Sequence, residues 1–267
     1  LLSVCILGLT GCGTSDISGD VTVVKVGVVG EYNAQWDTIN ELLVDDKIEV
    51  ELVKFTDYSV PNRALEDGDI DLNAFQHKAY LANEIDTKGY DIVSIGETII
   101  APLAVFPNTS KIESMSDLTD GSIVAIPSDL TNGGRALKLL EEAGLIVCDP
   151  SKGYVPTKAD ITEYIVQIEI VEAESATLAS LLPDVDAAII NGGNAYTAQL
   201  NSIEDSIYIE TVDSSNDYVD QLKNIIAARS EDQDNEVYLK IVEAYQSSEV
   251  ETTLEEAYLG AFLPAWK

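Results

Sequence analysis

The chain has 267 residues, which is long enough for one large domain or two modest ones, each with its own buried core. It carries 47 acidic residues against 15 basic ones, a formal charge of −32. This charge argues against nucleic acid or anionic lipid as a binding partner, because either polyanion would be repelled. Hydrophobic residues make up 46% of the sequence, too many for a disordered acidic tail, so we expect solvated acidic faces around ordinary hydrophobic cores.

The N-terminal stretch LLSVCILGLTGC is apolar and ends in small residues before a cysteine. It is too short to span a bilayer and is typical of a secretory signal whose start has been trimmed, so we predict a signal peptide at residues 1–12. Its last four residues, LTGC, resemble a bacterial lipobox. The resemblance implies that Cys12 becomes the lipidated first residue of the mature protein, acylated for example with palmitate. An uncleaved anchor or a chance cysteine is the alternative.

Residues 13–21 are rich in Gly, Ser, Thr and Asp, which predicts a flexible tether from the membrane surface. Cys5 would leave with the signal and Cys12 would carry lipid, so only Cys148 remains in the folded part and no internal disulfide can form. These features predict a protein held by lipid on the extracytoplasmic side of the cell membrane.

After the tether, strand-like and helix-like segments alternate. The runs VTVVKVGVV, KIEVELVKF and IDLNAF predict strands. Helices are predicted in AQWDTINELLVDD, between Pro61 and Gly68, and in HKAYLANEIDTKG. The run YDIVSIGETIIAPLAVF supplies further strand. Such alternation implies a mainly parallel sheet with helices on both faces.

The alternation then begins again. The runs GSIVAIP and DAAIING predict strands, each followed by a helix, in TNGGRALKLLEEAGLI and NAYTAQL. Thr131 or Asn132 is the expected N-cap of the first of these helices, and Gly144 its stop. The strand NIIAARS and helical segments within NEVYLKIVEAYQSSEVETTLEEAYLG complete the chain.

Two such units predict an α/β fold with two lobes, residues 22–106 plus 223–267 and residues 107–222, each a mainly parallel sheet flanked by helices. The chain is expected to cross between the lobes near 103–109 and to return near 222–229. A pair of crossover segments of this kind makes a hinge.

The sequence gives no positive sign of catalysis. The only histidine, His77, cannot build a multi-histidine zinc site, and Cys148 has no C-x-x-C partner, so neither a metal nor another cofactor is expected. There is no nucleophile elbow, P-loop or G-x-G-x-x-G motif, and carboxylates are too numerous for an acid–base pair to be singled out. We therefore predict that the protein is not an enzyme.

Among so many acids, the three arginines are informative, and Arg135 most of all. It is predicted in the first turn of the helix after IPSDLTNGG, where free N–H groups and the helix dipole favour an anion. Its guanidinium can clamp a carboxylate, and Gly133 and Gly134 would let a ligand approach the backbone. The alternative is a surface arginine paired with a nearby acid.

Two further segments suggest a binding wall. Asn191 and Asn194 follow an apolar strand, and ligands of open α/β sheets bind at the carboxyl ends of strands. Phe75 and His77 lie two apart, which places them on the same face of a strand. The alternatives are a turn role for Asn191 and a structural role for the lone histidine.

The segments FTDYSVPNRALEDGDIDLNAFQHKAYL, VAIPSDLTNGGRAL and AAIINGG resemble, in the same order, those of the NlpA/MetQ family of methionine-binding lipoproteins, the substrate-binding subunits of methionine ABC importers. The resemblance runs from about residue 22 to the C-terminus. It implies a two-lobed periplasmic-binding-protein fold that closes on an amino acid and delivers it to a permease and an ATPase. It also implies a monomer tied to the membrane by its N-terminal lipid.

Carried over residue by residue, the resemblance implies that Arg135 binds the ligand carboxylate and that Asn191 binds its α-amino or carboxylate group. The wall around the ligand side chain would be formed by Tyr58, Phe75 and His77. Asn132, in the segment TNGGRAL, belongs to the same implied ligand-binding set.

Two departures bear on which ligand is bound. The first loop, GEYNAQWDTI, lacks the proline-histidine of some relatives, so Trp36 either stacks on the ligand or fills the core. The segment GGNAYTAQ is spaced differently from its counterparts, which leaves the roles of Asn194 and Tyr196 open. L-methionine or a close analogue is the expected ligand. D-methionine, a methionine-containing dipeptide and another apolar amino acid are alternatives, and an enzyme or an adhesin is less favoured.

Overall fold

The computed structural model describes residues 20–212 and 218–267. The predicted signal peptide at 1–12, the lipidation site Cys12 and most of the predicted tether at 13–21 lie outside the described residues. Within the described ranges the strands are β1 Thr22–Val29, β2 Ile48–Phe55, β3 Leu72–Asn73, β4 Ile92–Ile100, β5 Leu103–Pro107, β6 Ile123–Pro127, β7 Ile146–Cys148, β8 Ile161–Tyr164, β9 Glu169–Ala173, β10 Ala187–Asn191, β11 Tyr208–Ile209, β12 Lys223–Arg229 and β13 Leu263–Pro264. The helices are α1 Ala34–Leu42, α2 Pro61–Glu66, α3 Lys78–Lys88, α4 Leu130–Glu142, α5 Leu178–Leu181, α6 Gly192–Thr197, α7 Val219–Leu222, α8 Glu236–Tyr245 and α9 Ser248–Tyr258.

The first lobe is built on a sheet with the strand order β13-β4-β12-β3-β1-β2. One face of this sheet is covered by α1, α8 and α9, whose apolar side chains form a single core with β1 and β2. Leu65 of α2 and Leu81 of α3 pack against the other face. Both faces are therefore buried, as expected for strands that read as continuous apolar runs.

The second lobe is built on a sheet with the order β11-β5-β10-β6-β9. Helix α4 buries one apolar side against this sheet, and the paired strands β7 and β8 extend the same core. Leu178 of α5 and Ala195 of α6 pack on the opposite face. The predicted two-lobed α/β fold is thus confirmed, with one core on each face of each sheet.

The prediction of mainly parallel sheets is wrong, because both sheets are mixed. In the first sheet β1 pairs parallel with β2 and β3, while β12 is antiparallel to β3 and β4. In the second sheet β6 pairs parallel with β9 and β10, while β5 is antiparallel to β10. Of the reversed strands, β5 and β12 arrive from the other lobe, whereas the short β13 follows α9 within the first lobe. Since the carboxyl ends of the parallel strands face the gap between the lobes, a strand entering from that gap has to run in the opposite direction.

The same pairing corrects the predicted boundary at residue 106 between the lobes. Strand β5, Leu103–Pro107, pairs along its whole length with β10, so it belongs to the second lobe. The chain therefore crosses at residues 101–102 rather than within 103–109. A hydrophobic run that continues from β4 into β5 conceals this crossing in the sequence.

Residues 147–185 carried no predicted strand or helix, yet they contain β8, β9 and α5. The strand β9, EIVEA, lies at the edge of its sheet, and only Ile170 of its five residues is fully buried. Its two glutamates weaken the apolar signal. Its pairing with β6 becomes evident only in the folded sheet.

Candidate ligand-binding site

A cavity lies between the two lobes, with about 400 Å³ of space that is partly open to solvent. It is lined by Tyr32, Tyr58, Phe75, Gln76, His77, Tyr80, Ala101, Asn132, Arg135, Asn191, Gly193 and Asn224. Six residues of the predicted set are therefore together at one place, and they come from both lobes.

Aromatic rings form the part of the wall that the first lobe contributes. The rings of Tyr58, Phe75 and Tyr80 lie in mutual contact, with centroids 5.9 to 6.1 Å apart. Burial raises the pKa of Tyr58 well above its usual value, so the phenol stays neutral. Such rings offer apolar surface with a polarizable face and edge.

The backbone that carries Phe75 and His77 is held by a buried network of amides. The side chain of Asn62 on α2 donates to the Gln76 carbonyl oxygen at 2.8 Å, and Gln76 donates to the Asn62 oxygen at 2.6 Å. Asn73, at the end of β3, donates to the same Asn62 oxygen at 2.9 Å. Because these buried groups satisfy one another, they fix an irregular segment that a two-residue strand alone would not hold.

His77 lies beyond β3 and is the N-cap of α3. Its Nδ1 accepts a hydrogen bond from the backbone N–H of Tyr80 at 3.0 Å, so the proton resides on Nε2, which lies 3.2 Å from Oδ1 of Asn132 in the second lobe. Burial, and to a lesser degree the charge of Arg135, lowers the pKa of His77 to about 3. The imidazole is therefore a neutral donor that connects the two lobes.

Asn132 is the centre of the polar wall. Its Oδ1 accepts from Nε2 of His77, from Nδ2 of Asn191 at 2.9 Å and from Nη1 of Arg135 at 3.2 Å. Its own amide group donates to both carboxylate oxygens of Asp129 at 3.1 Å. One amide thus orients four other side chains.

The predicted N-cap of α4 is wrong, since the cap is Asp129 rather than Thr131 or Asn132. The Asp129 carboxylate accepts from the backbone N–H of Asn132 at 2.9 Å and occupies the helix N-terminus in place of a ligand anion. The helix begins at Leu130, so Arg135 lies in its second turn and not in its first. The helix N-terminus is therefore not part of an anion site.

The Arg135 guanidinium is buried and paired. It donates from Nε to Oε1 of Glu210 at 3.1 Å and from Nη2 to Oε2 at 2.5 Å, and Nη2 also donates to the carbonyl of Ala101 at 3.3 Å. Burial alone lowers the pKa of Arg135, but the Glu210 carboxylate outweighs burial and the pKa is raised. Both readings made from the sequence hold in part: Arg135 is paired with an acid, and it also lines the cavity.

The two glycines before Arg135 serve helix packing. A Cβ added at Gly133 would lie 2.9 Å from the carbonyl oxygen of Pro127, and one at Gly134 would lie 2.8 Å from the backbone of Val155. The expectation that these glycines admit a ligand is therefore wrong. They let α4 approach neighbouring backbone closely.

Asn191 ends β10, and its Oδ1 is buried without a hydrogen-bond partner among the described residues. A buried acceptor of this kind costs free energy until a donor reaches it. Since Asn191 lines the cavity, the site holds an acceptor that the protein itself does not satisfy.

The two residues left open by the sequence have different places. Trp36 is 1% exposed and packs edge-on against Tyr245 in the core of the first lobe, so it fills the core and does not line the cavity. Asn194 lies just outside the cavity and donates to the Tyr58 hydroxyl across the lobes at 3.1 Å. Tyr196 packs edge-on against Tyr258 at 4.9 Å, also across the lobes.

Sequence reasoning missed several members of the site, among them Tyr32, Tyr80, Asn224 and Glu210. Tyr32 lies three residues after the end of β1, so the rule that ligands bind at carboxyl ends of strands would have found it. Glu210 had no signal, because nothing distinguishes it from 46 other acidic residues (47 − 1).

The sequence profile described as NlpA lipoprotein matches residues 24–266. The chain belongs to the NlpA lipoprotein family. One relative is the D-methionine-binding lipoprotein MetQ of Salmonella typhimurium. It is 39% identical to this chain over 264 residues, which cover 97% of this chain and 94% of the relative. The resemblance inferred from the sequence is thereby confirmed.

Solved structures agree with this family assignment. A nutrient-binding protein from Burkholderia cenocepacia bound to methionine is 36% identical, with a TM-score of 0.84 over 91% of this chain and 99% of that one. The substrate-binding protein of a methionine transporter from Streptococcus pneumoniae is 35% identical, with a TM-score of 0.85 over 91% and 96%. The chain is thus a solute-binding protein by family, not an enzyme.

Among the residues that the structure describes, no helix combines the length and hydropathy needed to cross a bilayer. In the ranges 20–212 and 218–267, no group of three or more His, Cys, Asp or Glu side chains is arranged to hold a metal ion.

Proposed function

We propose that this protein captures methionine between its two lobes and delivers it to the permease and ATPase of an ABC importer. The observation that carries the proposal is the cavity between the lobes, with rings on one side and a guanidinium with amides on the other. A zwitterion that loses its water needs fixed partners for both charges, and a thioether suits aromatic edges. Relatives named for methionine binding support the same ligand.

Each part of the ligand has a proposed partner. The remaining N–H of Arg135 Nη1 would bind the carboxylate, and the unsatisfied Oδ1 of Asn191 would accept from the ammonium. The rings of Tyr58 and Phe75 would surround the side chain, with His77 and Asn132 holding the two walls in register. Contacts from both lobes make the closed form the tighter binder, so the ligand shifts the population towards closure.

The test is a thermal-shift screen with the twenty common amino acids, D-methionine and Gly-Met, followed by calorimetry of the positives. We expect methionine to raise the melting temperature more than leucine or alanine does. Screening both enantiomers decides between L- and D-methionine. If no amino acid or dipeptide raises the melting temperature, the proposal fails and a surface adhesin becomes the better explanation.

A methionine-containing dipeptide is a second candidate, favoured by a neighbouring cavity. This cavity, with about 680 Å³ of empty space, shares Tyr58 and Tyr80 with the first and is also lined by Asp57, Asp129 and Glu174. A longer ligand with a protonated amine would fit an acidic extension of this kind. Native mass spectrometry of the purified protein distinguishes the two, since a retained dipeptide and a retained amino acid differ in mass.

The anchor, the partner complex and the assembly state belong to the same proposal. Lipid on Cys12 would hold the protein at the extracytoplasmic side of the cell membrane, as the lipoprotein relatives suggest. One chain supplies both walls of the cavity, which supports a monomer. Cys12→Ser is expected to release the protein from membranes on fractionation, and light scattering of the released protein checks its mass.

A further inference from the structure

Glu210 holds the chain at the point where it enters the second lobe. It follows β11 directly, within the second lobe. Its backbone N–H donates to the carbonyl of Leu103 at 2.8 Å, and its Oε2 accepts from the N–H of Leu103 at 3.0 Å. Leu103 opens β5, immediately after the crossing at 101–102.

The same carboxylate fixes the orientation of Arg135. The side chain of Arg135 is 2% exposed and that of Glu210 is 10% exposed. The carboxylate accepts from Nε and Nη2, which lie along one side of the guanidinium. Of its five N–H groups, two donate to Glu210, one to the carbonyl of Ala101 and one to Asn132. Only one N–H of Nη1 remains for a ligand.

We propose that Glu210 is a positioning residue for ligand capture, which turns Arg135 so that Nη1 faces the ligand and ties this orientation to the start of β5, next to the crossing at 101–102. The inference rests on the proposed function, because it assumes that the ligand carries a carboxylate. It explains why an acid stands next to a proposed carboxylate site, where its charge is unfavourable.

Positioning and simple electrostatics predict opposite signs for one substitution. Glu210→Gln removes a negative charge close to the ligand carboxylate, so by Coulomb attraction alone binding becomes tighter. Positioning predicts weaker binding, because a glutamine offers one acceptor oxygen in place of two and its NH₂ group opposes an arginine donor. The direction of the change therefore separates the two explanations.

The experiment measures the Kd of L-methionine and of L-methioninol, which keeps the amine and thioether but lacks the carboxylate. We expect Glu210→Gln to weaken L-methionine roughly tenfold, as for a misplaced hydrogen bond to a charged group, and to change L-methioninol little. The matched control is Glu41→Gln, which removes the same charge from an exposed position on α1 and changes neither Kd. Unchanged or tighter binding of L-methionine, or equal weakening of both ligands, overturns the proposal.

A second measurement does not depend on the ligand. The protein has three arginines, so the Nε–H signals in a nitrogen-15 spectrum can be assigned with Arg63→Lys and Arg229→Lys. In the ligand-free protein we expect the Arg135 signal to be protected from exchange and to move or vanish in Glu210→Gln. An Arg135 signal that is unchanged in Glu210→Gln overturns the positioning proposal even if methionine binds. If the wild-type protein does not bind methionine, only the proposed function is refuted.

Discussion

The two walls of the cavity differ in chemistry as well as in origin. The first lobe contributes a cluster of rings, Tyr58, Phe75 and Tyr80, beside the polar groups of Gln76 and His77. The second lobe contributes a network of hydrogen bonds that joins Asn132 to Arg135 and the rest of the polar wall. One wall therefore suits an apolar side chain, and the other suits charged main-chain groups.

This division means that neither lobe alone satisfies an amino acid. An open protein could hold the ligand by its side chain or by its carboxylate, but only the closed form offers partners for both. The neutral His77, bonded to Asn132, is one direct link between the walls. The following predictions test whether the walls have the separate roles that this comparison assigns to them.

The largest effect is expected for Arg135→Ala, which removes the cation of the second wall. It leaves the Glu210 carboxylate buried and unpaired, so we expect the free energy of unfolding to fall by about 3–5 kcal/mol and ligand binding to become undetectable by calorimetry. The double variant Arg135→Leu/Glu210→Leu should recover stability without recovering binding. In the control Arg63→Ala, the lost ion pair with Asp67 is exposed to solvent. The free energy of unfolding and the ligand affinity should therefore both stay unchanged. Binding by the double variant would show that the guanidinium has no role in the site.

The first wall is tested by Phe75→Ala. Loss of the ring removes apolar contacts worth about 1.5–3 kcal/mol, or roughly tenfold to hundredfold in the Kd of L-methionine. L-alanine, whose side chain is a single methyl group and reaches little of the ring, should bind the variant and the wild type with nearly equal affinity. A parallel loss for both amino acids, measured by titration calorimetry, would contradict the separate roles of the walls.

A pH series tests the link between the walls. The pKa of His77 is about 3 in the folded protein and near 6.5 in the unfolded chain, so the unfolded state gains a proton first as the pH falls. The contribution of neutral His77 to the free energy of unfolding is therefore fully present above about pH 6.5. It falls by up to about 1.4 kcal/mol per pH unit as the pH decreases towards about 3. In His77→Asn, which keeps an N-cap for α3, this loss should be absent.

Urea unfolding of wild type and His77→Asn at pH 7, 6, 5 and 4 measures the difference. Because His77 is the only histidine, the titration of the acidic residues cancels between the two proteins to first order. Parallel stability curves would mean that the imidazole is not buried in its neutral form.

The smallest effect is expected for Tyr58→Phe. The ring remains, but the hydroxyl that accepts from Asn194 across the lobes is lost, which should weaken L-methionine only a few-fold, by about 0.5–1.5 kcal/mol. Tyr208→Phe, on an edge strand of the second lobe, is the matched control. If the Kd is the same in Tyr58→Phe and the wild type, the hydrogen bond between Asn194 and Tyr58 does not stabilise the closed form.

Local sequence signals predicted most of the elements correctly. The positive φ of 75° at Gly89 ends α3, and Pro61 opens α2, as their residue types indicate. The strands β1, β2, β6, β10 and β12 were found from their apolar runs. Strand direction could not be read in this way, because the pattern of buried residues is the same for parallel and antiparallel neighbours.

The candidate site was predicted as a set of residues but not as a network. Phe75, His77, Arg135 and Asn191 line one cavity, as the motifs suggested. The pairing of Arg135 with Glu210 joins positions 75 residues apart, and the cap on α4 belongs to Asp129, a residue not singled out beforehand. Trp36 was ambiguous because an aromatic residue after a strand suits a core and a ligand wall equally.

The sequence by itself determined the helices, most strands, the family and the residue types available at the gap, because these follow from local patterning and motifs. Only the tertiary structure decided which acid pairs with Arg135 and which ring nitrogen of His77 carries the proton. It also decided where the chain crosses between the lobes. The physical reason is that local order depends on neighbours along the chain, whereas the pairing of buried polar groups depends on which of them the two closed lobes bring within about 3 Å.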